Sequence, residues 1–228
     1  MNVLDGVKRR VPSVRLLQLA SQSLPTGSYA YSGGLEAIVA LEWIKDANGY
    51  ASFLETLLEA QVGSLEIPYA VRIFDAWANG DFARVQQFSA RLRASRESRE
   101  LLEQDGQMGR ALARVLRELY PADCALDWVP LTYAEAMAKA AVLFQLGREE
   151  LALVLAYSWV EQHVMALARL LLLGPIANQK LMHRVMERVG WTVEQGLEKR
   201  DDDIGATSPL LGIASALHEE QYTRIFRS

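Results

Sequence analysis

Segments rich in alanine, leucine, glutamate, arginine and glutamine fill almost the whole of this chain, and prolines separate them. The alternation of β-branched and polar residues that is typical of strands is nearly absent. Apolar residues instead recur at helical spacing, as in the stretch from Ser95 to Leu119, where Met108 and Leu112 share one face. The pattern predicts an all-α fold, with residues 1–228 forming a single compact domain of about eight to ten helices.

Prolines, glycines and capping residues predict where the helices begin and end. Thr132 and Glu135 have the spacing of a capping box at the start of one helix. A central helix is expected over Leu151–Leu173, and a last long helix from Pro175 to Lys199. Further helix starts are expected near Ser13, Gly33, Asn48, Ser64 and Asp81, with a final short helix from Ser208 to about Leu217.

The charge balance and the single cysteine limit the classes of partner. A net charge of -4 makes non-specific binding to nucleic acid or to an anionic membrane unfavourable. Cys124 alone cannot form an internal disulfide, and the first residues lack the apolar run of a signal peptide, so the cytoplasm is the expected compartment. The segment Leu151–Leu173 is long enough to span a membrane, but it carries Glu161 and Arg169 and is predicted to be a buried helix.

The sequence contains no recognisable set of catalytic residues. The histidines have no partner at metal-ligand spacing, and HExxH, CxxC, G-x-S-x-G and phosphate-loop motifs do not occur. His163 is expected to be a hydrogen-bonded core residue. The run from Arg91 to Glu103 mixes both signs of charge at helical spacing, which favours an exposed face with salt bridges. We therefore expect no catalytic residue, no metal ligand and no cofactor.

Two segments contain aromatic residues, glycines and arginines that packing does not require. They are Leu17–Glu36 and the tail His218–Ser228. The first could equally be a plain turn with two core tyrosines, and the second, predicted to form one helical turn, could dock on its own domain. Aromatic and arginine side chains dominate binding hot spots, so both segments are candidates for recognition. The candidate partner-binding residues are Tyr29, Tyr31, Glu36, His218, Tyr222, Arg224, Phe226, Arg227 and Ser228.

Three separated blocks make the chain resemble the UreF-type urease accessory proteins. They are LLQLAS…LP.G.YAYS.GLE over residues 16–36, SRE.RELLEQDGQMGRAL over residues 95–112, and HEEQYTRIFRS over residues 218–228. The resemblance implies an all-helical, cytoplasmic, often homodimeric protein without enzymatic activity. It also implies two partners, a UreD/UreH-type scaffold and the nickel-carrying GTPase UreG, in a complex that installs nickel in apo-urease.

The resemblance further implies that the tail becomes ordered when the scaffold binds. By the same resemblance, Tyr31 and either Arg224 or Arg227 belong to a surface that faces the GTPase. Two alternatives remain open at this stage. The chain could activate the GTPase through one of these arginines as an arginine finger. It could also carry nickel directly, through His163, His183 or His218, or let nickel pass through an internal tunnel without tight binding.

Overall fold

The computed structural model describes residues 14–205 and 208–228, and helices are the only regular elements within those ranges. The predicted start near Ser13 lies outside them. The α-helices are α1 (14–20), α2 (Leu35–Ala40), α3 (Ala47–Leu57), α4 (Ile67–Ala78), α5 (Phe82–Ala94), α6 (Arg99–Leu119), α7 (Tyr133–Leu143), α8 (Arg148–Leu170), α9 (Pro175–Met186), α10 (Val189–Glu198) and α11 (Pro209–Glu219). With α3 to α4 counted as one continuous helix, nine helices lie between residues 35 and 219. The predicted all-α fold of eight to ten helices is confirmed.

A π-helical stretch joins α3 to α4, so the prediction of a separate helix starting near Ser64 was wrong. Residues Leu58–Glu66 are wound as a π-helix, and Pro68 follows in the first turn of α4. A proline has no N–H, and its ring crowds the carbonyl group four residues earlier. The wider π turn accommodates Pro68. The carbonyl oxygen of Ser64, four residues earlier, cannot receive a hydrogen bond from Pro68 and accepts one from the N–H of Gly205 at 3.1 Å. The proline is thus absorbed without breaking the helix.

The last long helix is also divided differently from the prediction. α9 ends at Met186 and α10 begins at Val189, so the expected uninterrupted helix to Lys199 was wrong. Each half packs on a different part of the α3–α4 helix. Arg184 of α9 forms an ion pair with Glu55 of α3 at 2.8 Å, whereas α10 lies against the π-helical stretch. The break allows both contacts.

Only half of the predicted capping box is present at the start of α7. Oγ1 of Thr132 accepts a hydrogen bond from the N–H of Glu135 at 3.1 Å, as expected. The carboxylate of Glu135 does not return to Thr132. It accepts bonds at 2.9 Å from the N–H of Leu131 and from the indole N–H of Trp128. Glu135 therefore fixes the loop before the helix.

α8 lies in the middle of the molecule. It packs against α2, α4, α7, α9 and α10, and together with α4 it contributes to both buried apolar clusters. Among the helices of the described residues, α8 is the one whose length and composition would allow it to cross a membrane. Its buried residues include Leu151, Val154, Val160 and Val164, and it touches five other helices. These contacts agree with the predicted buried helix, with bounds Arg148–Leu170 in place of Leu151–Leu173.

Candidate functional site

Residues 25–34, here called the glycine turn, bring the first aromatic block against α8. A single 3₁₀ turn covers Ser28–Ala30, and Gly33 and Gly34 follow with φ values of 62° and 85°. These are left-handed values that favour glycine. A Cβ atom at Gly33 would lie 2.8 Å from Nε2 of His163. The backbone therefore approaches α8 more closely than a residue with a side chain would allow.

Residues 220–228, here called the docked segment, lie beside the glycine turn and α2. The main-chain N–H groups of Ile225 and Phe226 donate to the carboxylate of Glu36 at 2.7 and 2.8 Å. These bonds replace the bonds to preceding carbonyl groups that a helix would make, and the segment is not helical. The predicted helical turn at this place was therefore wrong.

Further hydrogen bonds join the docked segment to the glycine turn and to α6. The N–H of Arg227 donates to the carbonyl oxygen of Ala30 at 2.9 Å, and the N–H of Ser32 donates to that of Ser228 at 2.8 Å. The hydroxyl of Ser32 donates to the same oxygen. The hydroxyl of Ser228 donates to Oε1 of Gln104 at 2.6 Å. The two segments that the sequence singled out separately thus form one continuous surface.

A buried charge network lies under this surface. His218 places Nδ1 2.6 Å from Glu100 and Nε2 3.1 Å from Glu36, and all three side chains are buried. Arg224 pairs with the other oxygen of Glu100 at 2.9 Å. Each ring nitrogen of His218 therefore lies against a carboxylate oxygen. The network holds α2, α6 and α11 together with the docked segment.

Phe226 is the large side chain that the docked segment buries. Its ring belongs to the apolar cluster that α2 and α8 share, and it is 4% exposed. The guanidinium carbon of Arg169 lies 4.7 Å from the ring centroid, within the range of a cation–π contact. Nη1 of Arg169 also donates to the carbonyl oxygen of Tyr29 at 3.3 Å. One arginine of α8 therefore contacts both segments.

The two tyrosines of the glycine turn have different environments. Tyr31 is 5% exposed, and its hydroxyl donates to Oε1 of Gln107 at 2.5 Å, whereas Tyr29 is 76% exposed. The sequence did not separate them. Of the other candidate partner-binding residues, Glu36, His218, Phe226 and Ser228 are buried, and Tyr222, Arg224 and Arg227 are exposed.

A cavity of about 310 Å³ lies beneath the two segments, with Phe226 and His163 in its wall. Its polar side carries Arg96, which pairs with Glu66 and donates to Asp105 at 2.9 Å. Burial raises the pKa of Glu66, and the charge of Arg96 opposes part of that rise. Burial lowers the pKa of His163 to about 4, so the ring is neutral near pH 7. The cavity therefore has both polar and apolar walls.

The charge pattern of the sequence did not indicate that Arg96 and Glu100 are largely buried. The run Arg91–Glu103 was predicted to be one exposed face, and Arg91, Arg99 and Glu103 are indeed exposed. Arg96 and Glu100, however, have side chains only 13% and 8% exposed, and each forms an ion pair. Arg96 precedes the start of α6, so helical periodicity could not assign it to a face.

Within the described ranges, no group of three or more histidine, cysteine, aspartate and glutamate side chains is arranged to hold a metal ion. The histidines occupy three separate environments. Nδ1 of His163 donates to the carbonyl oxygen of Trp159 at 2.7 Å, His183 is exposed, and His218 lies in the charge network. Cys124 is buried, and burial raises the pKa of its thiol, which disfavours the reactive thiolate.

Comparison with known proteins identifies the family. The protein-family model described as UreF matches residues 44–186. The chain is 38% identical to the urease accessory protein UreF of Alkalilimnicola ehrlichii, over 94% of this chain and 95% of that protein. This chain belongs to the UreF family.

Other UreF proteins give the same result. Identity to the urease accessory protein UreF of Citrobacter koseri is 38%, over 94% of this chain and 97% of that protein. Identity to the UreF protein of Chromohalobacter salexigens is 36%, over 93% of each. The resemblance to the UreF family that three sequence blocks indicated is therefore confirmed.

Proposed function

We propose that this chain is an assembly factor for the nickel centre of urease. In this role it joins a UreD/UreH-type scaffold protein and the GTPase UreG, and the complex delivers nickel to apo-urease. The names of its relatives, urease accessory proteins, support an accessory rather than a catalytic role. In this proposal the protein is cytoplasmic, residues 1–228 form one domain, and the protein acts as a homodimer.

The observation that carries the proposal is the composite surface of the glycine turn and the docked segment. It exposes Tyr29, Tyr222 and Arg227, which make few contacts within the described chain. Tyrosine and arginine are enriched among the residues that dominate binding energy. Glu36 accepts two hydrogen bonds from the main chain of the docked segment, which supports the placement of Tyr222 and Arg227 beside the glycine turn.

A second candidate function is activation of the GTPase by an arginine finger. The guanidinium of Arg224 pairs with Glu100 and donates to the carbonyl oxygen of Gln221, whereas that of Arg227 is exposed and donates to no described residue. An arginine finger must be free to reach the transferred phosphate. Between the two arginines, these contacts favour Arg227.

The first test is size-exclusion chromatography with light scattering on the chain mixed with the scaffold and GTP-loaded UreG. Truncation after Leu217 would also remove the buried His218 and Phe226, so exposed residues are the better target. The double variant Tyr222→Ala/Arg227→Ala is compared with Trp191→Ala/Arg188→Ala, which removes an exposed tryptophan of α10 and the exposed arginine that precedes this helix.

The first variant is expected to weaken the ternary complex by at least about tenfold, as loss of hot-spot residues does. The α10 variant is expected to bind as the unmodified chain does. A ternary complex of equal stability with both variants, or no complex with the unmodified chain, would contradict the assembly role.

Single-turnover GTP hydrolysis in the formed complex separates the two candidate functions. With an arginine finger, Arg227→Ala should slow hydrolysis by about 10³-fold or more even when all sites are occupied. With a pure assembly role, the same variant should weaken binding and leave the hydrolysis rate of the formed complex unchanged.

A further inference from the structure

A second cavity, of about 290 Å³, opens between α6 and the glycine turn. Gln107, Arg110 and Arg114 form one wall, since intervals of three and four residues place them on one face of α6. Tyr31 contributes from the glycine turn, and Arg227 from the docked segment. We call this cavity the arginine pocket after its three arginines.

The arginine pocket carries three positive charges and no acidic residue in its described wall. Within residues 14–205 and 208–228, its three guanidinium groups donate no hydrogen bond and form no ion pair, whereas Arg72, Arg96 and Arg184 each pair with a carboxylate. The whole chain has a net charge of -4, so the pocket is a local exception.

The wall on α6 is arranged to donate hydrogen bonds. A Cβ atom at Gly106 would lie 2.9 Å from Nη1 of Arg110, which shows that the guanidinium folds back over the bare backbone of the glycine. The hydroxyl of Tyr31 donates to Oε1 of Gln107, so the two N–H donors of the Gln107 amide remain available for a ligand. Guanidinium and amide donors together are suited to an anion.

A carboxylate fits this pocket better than a phosphate does. Arg110 and Arg114 lie in the middle of α6, so no free N–H groups of a helix start are available to bind phosphate oxygens. The planar guanidinium forms paired hydrogen bonds with a carboxylate as well as with a phosphate, so the missing backbone donors are what favours the carboxylate. Tyr29, which also lines the pocket, is largely exposed and offers an aromatic surface of the kind found at protein interfaces.

We propose that the arginine pocket binds aspartate or glutamate side chains on the surface of a protein partner. The GTPase is the expected partner, and this choice of partner rests on the proposed function. Arg110 and Arg114 thereby join the residues of the two recognition segments, although they lie on a helix that the sequence analysis did not connect with partner binding.

The direct test measures binding of a fluorescein-labelled hexaglutamate peptide by fluorescence anisotropy at low ionic strength. The pocket variant Arg110→Ala/Arg114→Ala is compared with Arg91→Ala/Arg188→Ala, which removes the same charge from exposed positions on α5 and at the start of α10. The pocket variant is expected to bind about tenfold more weakly, and the control within about twofold of the unmodified chain. Both pairs of arginines are exposed, so unfolding is not expected to confuse the comparison.

Three results would overturn the inference. The first is an equal loss of hexaglutamate affinity in both variants, and the second is binding of a labelled hexaglutamine peptide as tightly as hexaglutamate. The third is displacement of hexaglutamate by inorganic pyrophosphate at concentrations where glutamate has no effect. The last result would identify a phosphate site.

The same variants are then tested for binding to UreG in the presence of the scaffold. Weaker binding by the pocket variant alone supports the inference, and unchanged binding overturns it for this partner. If UreG does not bind even the unmodified chain while hexaglutamate binding still depends on Arg110 and Arg114, the proposed function fails and the acidic-partner site stands.

Discussion

His163 is the residue in which burial has its clearest chemical consequence. Its ring stacks on Trp159 with centroids 3.9 Å apart, and its Nδ1 lies 2.7 Å from the carbonyl oxygen of the same residue. Burial outweighs that hydrogen bond and lowers the pKa to about 4. The expectation of a hydrogen-bonded core histidine is confirmed, and the ring stays neutral under conditions where an exposed histidine would begin to take up a proton.

This shift makes stability depend on pH. In the unfolded chain the pKa of a histidine is about 6.5, so between about pH 6.5 and 4 the unfolded state binds a proton that the folded state does not. Stability therefore falls as the pH falls through this window. From pH 7 to pH 5, His163 should account for about 2 kcal/mol of the loss in unfolding free energy, and His163→Gln should remove that part.

Urea unfolding at the two pH values measures the effect. His183→Gln is the matched control, because it removes a histidine whose side chain is 83% exposed. Groups such as Glu66 are common to all three proteins and cancel in the comparison. An identical pH dependence in the unmodified chain and His163→Gln would show that the ring is not buried in its neutral form.

At the scale of helices, glycines set how closely α10 approaches the π-helical stretch. A Cβ atom at Gly196 would lie 2.7 Å from Cγ2 of Ile67 and 3.1 Å from the carbonyl oxygen of Gly63. The first distance is too short for a real contact, and the second is tighter than most real contacts and involves backbone that cannot rotate away. The two helices are therefore packed on a surface with no room for a methyl group.

The substitution Gly196→Ala should consequently destabilise the fold by about 1 to 3 kcal/mol, as overpacking does. Gly190→Ala in the same helix meets no atom within 4 Å, and it should be neutral or stabilising by up to about 1 kcal/mol. Thermal or urea unfolding of the two variants tests the pair. Equal effects at both positions would mean that α10 does not approach the π-helical stretch so closely.

The helices also show what sequence could and could not predict. Helical spacing was sufficient for the fold class and for most helix starts, since proline, glycine and capping residues act locally. It failed at Pro68, because the π turn that absorbs the proline depends on Gly205 as a distant donor. It also could not pair Glu36 with Ile225, because a contact across 189 residues leaves no periodic signal. The sequence therefore indicated both recognition segments but not the contact between them.

At the scale of the molecule, the docked segment connects parts of the chain that are far apart in sequence. Phe226 is buried in the cluster of α2 and α8, whereas Tyr222, four residues earlier, is fully exposed. Loss of a buried phenylalanine removes apolar contacts and leaves a cavity. Phe226→Ala should therefore lower the unfolding free energy by about 3 kcal/mol, and Tyr222→Ala should change it by less than about 0.5 kcal/mol.

Urea unfolding measures both variants, and amide hydrogen exchange at residues 225 and 226 shows whether the docked segment has been released. In Phe226→Ala these two amides should exchange much faster than in Tyr222→Ala. Small and equal effects of the two substitutions would show that the segment adds nothing to the stability of the isolated chain.

Glu36 recognises the main chain of the docked segment and not its side chains. Its two bonds go to the N–H groups of residues 225 and 226, which nearly every amino acid possesses. Evolution can therefore change the exposed side chain at Ile225 to suit a new partner while the segment stays in place. Proline alone is forbidden there, because it lacks the N–H that Glu36 binds.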